Sequence, residues 1–144
     1  MTVVEEDIIV VETAAAAESK SAQNSLLAAI DKINKSVDRN LINEDINKSL
    51  AESAEAKSKM TRLIELFELY NNPKMPKSQL DLLKKQAQIA LQQNEIVNAK
   101  LNEMLKTSSL ATAKTLSTDA LRASGYSLNY LEYIKANLIA YKGK

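Results

Sequence analysis

Two acidic groups, Glu5-Glu6-Asp7 and Glu44-Asp45, are the densest chemistry-bearing clusters in the chain. Paired carboxylates run glycosidase-type acid–base chemistry when they flank a pocket and burial raises one pKa. These two groups fall on an expected terminal arm and an expected helix start. Solvated charge or complementation of a helix dipole accounts for them there. A calcium loop needs alternating Asp/Asn ligands around a Gly turn, and no segment has that pattern. The 144 residues include neither His nor Cys. That removes His-dependent triads, Cys–His pairs, imidazole or thiolate zinc sites and disulfides. No Gly-rich phosphate loop is present. Lys84-Lys85 and the terminal lysines are sparse and interleaved with acids, and the net charge is +1. A nucleic-acid face is therefore disfavoured. The expectation is a non-enzyme with no catalytic residues, no cofactor, no metal and no small-molecule substrate.

The elements that carry these residues read as helices. Only two Gly and two Pro occur, too few for the turns of a sandwich or barrel. Ala, Leu, Lys, Glu, Gln and Asn dominate, and all but Asn are good helix formers. No run reaches the ~18–20 apolar residues of a membrane span. The start, Met1 to Asp7, is acidic where a secretory signal is basic. The expectation is synthesis in the cytoplasm without a cleavable signal, with export or incorporation into an assembly left open.

Residues 1–12 read as an extended acidic arm, because Ile8, Ile9, Val10 and Val11 are β-branched. Residues 13–144 read as a single helical domain. Thr13 caps a first helix ending near Asp38–Asn40, with Leu26, Ile30, Ile33 and Val37 on one face. Asn43 caps a second, which runs to Tyr70 with an end that reads as buried all round. The segment 71–77, with Pro73 and Pro76, cannot be helix interior and forms a hairpin turn. From Ser78 a third helix runs to about residue 123, with one weak point at Thr107–Ser109, and Gly125 ends it. Ser127 caps a last helix over 128–141. The fold class is all-α: a hairpin or bundle of about four helices, one very long, with an extended arm.

A heptad-like seam runs through Leu80, Leu83, Ala87, Ala90, Asn94, Val97, Leu101, Met104, Ser108 and Ala111. Asn94 and Ser108 read as polar residues on a partly exposed seam. A second stripe, Leu82, Ile89, Ile96 and Leu110, lies about 100° away. A single partner helix does not need it, so the third helix packs on more than one neighbour. Tyr126, Tyr130, Tyr133 and Tyr141 crowd the last nineteen residues. They suit either an interface or the cover of a core. The candidate interface residues are thus Ile8, Ile9, Val10, Val11, Leu82, Ile89, Ile96, Leu110, Tyr126, Tyr130, Tyr133 and Tyr141. Residues 1–19 carry five acids and no base, whereas 133–144 carry three lysines and no acid. Opposite ends could attract between subunits, head to tail, although exposed charge pairs are weak and screened.

A helix, the turn Asn72-Pro73-Lys74-Met75-Pro76, and a second helix with Leu80, Leu82, Leu83 and Gln86 soon after it form a local pattern over about residues 60–105. It resembles the hairpin of type III secretion needle and inner-rod subunits. The resemblance implies a helical, non-enzymatic subunit of a secretion apparatus. The chain departs from that family by continuing 68 residues past Pro76. Residues 107–144 have no counterpart in it. Together these readings predict a structural protein that self-associates or packs on other protein subunits in a filament, tube or particle, either secretion apparatus or virion component. The alternative is a monomeric helical adaptor, inhibitor or effector module that binds another protein.

Overall fold

A computed structural model of the chain describes residues 2–144. Four helices of nearly equal length follow one another: α1 (Glu5–Asn34), α2 (Arg39–Leu69), α3 (Lys77–Lys106) and α4 (Leu110–Tyr141). Each packs on the next, and α4 returns to α1. Hydrogen bonds from Ser25 to Glu52, Asn94 to Ser53 and Ser127 to Ala90 show successive helices running antiparallel. An ion pair of 2.6 Å between Lys142 and Glu6 closes the ring. The result is an up-down-up-down four-helix bundle.

Among the described residues the extended arm expected over 1–12 is not present; Met1 lies outside them. Helix α1 starts at Glu5, and the Asp7 carboxylate accepts the Val4 N–H at 2.8 Å. Glu5, Glu6 and Asp7 occupy the first turn, where the dipole favours them. Ile8 is fully buried and Ile9 nearly so, in one cluster with Leu63, Phe67 and Leu131. Burying each such side chain is worth about 1.5–3 kcal/mol. The helix penalty of a β-branched residue is below about 0.7 kcal/mol. Tertiary burial therefore decides the conformation. Val4, the N-cap, has extended angles, and Val3 before it is bridged to Tyr70.

The very long third helix is also corrected. The chain breaks at the weak point, residues 107–109, and folds back. Thr107 adopts extended angles, its hydroxyl accepts the Ser109 N–H, and Ser109 caps α4 by accepting the Thr112 N–H at 3.1 Å. Arg39, at the start of α2, donates to the carbonyls of Met104 and Thr107. Its cation sits at the negative end of the α3 dipole and satisfies two otherwise unpaired carbonyls. Gly125 and Ser127 lie inside α4 rather than at a helix boundary. Helix α2 is capped by Asp38, which accepts the Asn40 N–H, and not by Asn43. Ser78 caps nothing, since Pro76 precedes α3.

At the α1–α2 corner Ser36 has φ 53°. The Ser36 and Val37 N–H groups bond back to Ile33 and Lys32 carbonyls, a Schellman closure with Ser where Gly is usual. In the proline turn the Asn72 side chain accepts the Lys74 N–H and Met75 is buried.

Two apolar clusters fill the bundle. One holds Ile8, Met60, Phe67, Leu83 and Leu131, near the chain termini. The other holds Leu26, Ile42, Ile46, Leu101 and Met104, at the opposite end. Between them lies a waist of small and polar residues. Ser19, Ser49, Ser53, Asn94, Ser124 and Ser127 are all buried there. Asn94, expected on a partly exposed seam, is buried and donates to the Ser53 carbonyl at 3.1 Å while accepting the Ser53 hydroxyl at 3.2 Å. The Ser49 hydroxyl reaches the Ala22 carbonyl at 2.7 Å. Small side chains let the helices approach closely, and their hydroxyls then find backbone carbonyls across the gap.

Candidate interaction surface

The hydrogen bonds Gln79–Asn137, 3.0 Å, and Ser127–Ala90, 2.9 Å, fix the register of α3 against α4. Gln79 marks the side of α3 that faces α4, and the Lys84–Glu68 pair marks the side that faces α2. At 100° per residue, Leu82, Ile89 and Ile96 lie just outside the α4-facing edge. On α4 the same arithmetic from Asn137 puts Tyr126 and Tyr133 just outside the α3-facing edge. Antiparallel register then sets Leu82 level with Tyr133 and Ile89 level with Tyr126. One outer face thus gathers both sets.

Leu82 is 46% exposed, Ile96 40%, Tyr126 51% and Tyr133 58%. Ile89 is half-buried. Tyr133 packs edge-on against Tyr130, ring centres 6.4 Å apart, and Tyr130 in turn leans on the first core cluster. The remaining positions are mostly amides and alanine: Gln86, Gln93 and Ala99 on α3, Asn129, Ala136 and Asn137 on α4. Among the described residues, Lys85 is the one charge on this face between residues 82–93 and 126–137, with Asp81 at one end and the Asp119–Arg122 pair, level with Ile96 and Gln93, at the other. Helix α2 carries eleven charged residues in 31, α1 and α3 eight each in 30, and α4 five in 32. Depletion of charge with enrichment of tyrosine is the compositional mark of an interface core.

Other candidate interface residues are placed differently. Ile8 and Ile9 belong to the chain's own core and have no surface left for a second protein. Val10 is exposed, and Val11 is half-buried against the first cluster. The break at 107–109 moves Leu110 onto α4, where it packs on the second cluster instead of extending the Leu82 stripe. Tyr141 is half-buried beneath Lys144, whose ammonium stands 5.6 Å from its ring. The opposite terminal charges meet inside one chain, Lys142 on Glu6, because an even number of antiparallel helices returns the C-terminus to the N-terminus. Head-to-tail attraction between subunits loses that partner.

Sequence reasoning missed three features. Leu69, expected buried, is exposed at the mouth of a groove of about 350 Å³ lined by Val3, Val10, Val11 and Leu66 and rimmed by Glu6, Asp7 and Arg62. Tyr70 is buried, and burial together with the nearby Glu5 carboxylate pushes its hydroxyl pKa up. Glu12 is 1% exposed in the inward seam of α1, between Ile8 and Ala15. Burial pushes its pKa up to about 7, against the opposing pull of Lys135. The signal for Glu12 was available: the 4–3 spacing of Leu26, Ile33 and their neighbours continues back through Ala22, Ser19 and Ala15 to residue 12. Among the described residues no cluster of three or more acids is placed to hold a metal ion, and no helix is long and apolar enough to cross a membrane.

Comparison with known proteins finds no matching family model, no matching curated protein and no matching solved structure.

Proposed function

We propose that the chain is a non-enzymatic structural subunit that packs helix against helix with other protein subunits in a filament, tube or particle. The observation that carries this reading is the α3–α4 face, which exposes leucine, isoleucine and tyrosine among amides, flanked by Asp81, Lys85 and the Asp119–Arg122 pair. The local likeness of the proline turn to secretion needle and inner-rod hairpins favours a secretion apparatus as the setting. A virion is the other setting such a subunit suits. Light scattering of the full chain across a concentration series tests the reading, and growth in mass with concentration supports it. Deleting residues 1–12 is not a clean control, because it removes Ile8 and Ile9 from the core.

One observation favours a second reading. Every inward seam of the bundle is filled by the chain's own helices, as in a stable monomer. That suits an adaptor, inhibitor or effector module that binds a different protein. A mass of ~16 kDa at every concentration, matching the 15.9 kDa chain, supports it over self-assembly.

A further inference from the structure

We infer that residues 5–19 of α1 form a lid over the first apolar cluster, released when the Glu12 carboxyl loses its proton. The inference concerns the chain's own fold and stands apart from the assembly reading.

Attachment is the first argument. The polar links from α1 to α2 begin at Ala22, whose carbonyl accepts the Ser49 hydroxyl, and continue through Ser25–Glu52 and Lys32–Asp45. Among the described residues, no hydrogen bond or ion pair ties residues 8–19 to another helix. A latch lies at the very start of the chain: the exposed Lys142–Glu6 pair, a 3.5 Å hydrogen bond from Asn72 to Glu5, and the Val3–Tyr70 bridge. Open grooves flank the segment on both sides. One of about 350 Å³ runs along Val10, Val11 and Leu66, and one of about 510 Å³ along Ala16, Ala17 and Leu128. Both edges of the lid therefore face solvent.

The buried groups are the second argument. Glu12 and Ser19 both lie buried on the inward side of α1. The Ser19 hydroxyl has no hydrogen-bond partner, and Glu12 has only the Thr13 hydroxyl at 3.4 Å. Release returns both groups to water, which removes the cost of burying them unpaired. On α4, Lys135 attracts the Glu12 carboxylate and Glu132 repels it. On α2 the inward residues at this level are Met60 and Leu63, while Lys59 and Arg62 beside them pair with Glu55 and Glu65 of their own helix. On α3 Ala87 points inward, and Lys84 pairs with Glu68 while Lys85 lies on the outer face. Ile8, Ile9, Ala15 and Ala16, one turn away on α1, carry no charge. Burial thus outweighs Lys135 and pushes the Glu12 pKa up to about 7.

Local propensity is the third argument. Ile8, Ile9, Val10 and Val11 are β-branched, and a helical segment this short is marginal in water without tertiary packing. The released lid therefore unwinds, and its amides exchange. Once in water Glu12 titrates near its ordinary 4.5, so the release equilibrium is level in acid, rises roughly 70-fold between pH 5 and pH 8, and levels off above.

The test is hydrogen exchange of the full chain by NMR at pH 5, 6, 7 and 8, with and without sub-denaturing urea, at a concentration where light scattering shows monomer. Protection over residues 9–19, corrected for the intrinsic rate at each pH, is expected to sit below that of α3 and to depend little on urea. It should fall roughly 70-fold from pH 5 to pH 8. Glu12→Gln should flatten that fall, and Lys135→Met should steepen it. Lys142→Ala should lower protection by one factor at every pH, because it loosens the latch and leaves the trigger in place. Exchange over residues 9–19 that needs as much urea as exchange in α3 reports global unfolding alone and overturns the lid. Protection that is flat with pH, or that falls equally in Glu12→Gln, overturns Glu12 as the trigger.

Discussion

Glu12→Gln is expected to stabilise the bundle at neutral and alkaline pH and to change little in acid. Glu12 lies in the core-facing seam of α1, 1% exposed, and its nearest hydrogen-bond donor is the weakly placed Thr13 hydroxyl at 3.4 Å. Burial disfavours the carboxylate and raises its pKa from 4.5 to about 7. Lys135 and Thr13 oppose the rise and Glu132 adds to it. Because the folded pKa is the higher one, the folded state holds the proton where the unfolded state has released it. Stability is therefore full below about pH 4.5, falls as pH rises toward 7, and levels off above it. A shift of that size corresponds to about 3 kcal/mol between the plateaus, or roughly 10 °C in Tm for a chain of this length. The neutral glutamine removes the charged state and its cost. Urea unfolding of both proteins at pH 4.5, 6, 7 and 8, at a concentration where light scattering shows monomer, measures the difference directly. The gap between them should open with pH, and Lys135→Met should widen it by removing the cation that lowers the pKa. A wild-type stability that is flat from pH 5 to 8, or a Glu12→Gln deficit that is equal at every pH, would refute the reasoning.

The waist and the two corners give three more expectations. Asn94→Ala removes both contacts to Ser53 and leaves its buried hydroxyl without the amide partner, costing about 1–3 kcal/mol in urea unfolding. Arg39→Lys cannot reproduce a planar guanidinium that serves two carbonyls at once, so its melting temperature should fall nearly as far as that of Arg39→Ala. Faster hydrogen exchange over residues 104–110 in both variants would locate the effect at that corner. Two glycine exchanges should both stabilise, each by about 0.5–1 kcal/mol. Ser36→Gly relieves a left-handed residue, and Gly125→Ala adds a methyl that meets no neighbouring atom within 4 Å to a helix interior. A loss of stability in either would show that the side chain replaced, or the space entered, matters more than the backbone.

The helical class was legible because it depends on what the chain lacks. With four Gly and Pro residues in all, few breaks are available, and the strongest of them, at Pro73 and Pro76, is a turn. The break at 107–109 was legible only as a weak point. Thr and Ser there permit a cap, but Arg39, 65 residues away from Met104, binds the carbonyls exposed at that end of α3. The arm was misread because β-branched propensity is local, whereas the burial of Ile8 and Ile9 depends on Phe67 and Leu131 arriving from two other helices. Gly125 was misread for the same reason. Glycine weakens a helix by about 1 kcal/mol, and packing on both sides of it outweighs that.

The candidate surface divides in the same way. Leu82, Ile89 and Ile96 form a stripe in any helix, since seven residues are nearly two turns, and tyrosines seven apart do likewise. The sequence determined that two such stripes exist. It could not tell that they lie side by side. That needs the fold-back at 107–109 and the register set by Gln79–Asn137 and Ser127–Ala90. Periodicity fixes the face a residue occupies on its own helix, because that angle is local geometry. Which faces meet, which carboxylate loses its water and which terminal charges pair are set by contacts between residues distant in the chain, and the tertiary structure alone decides them.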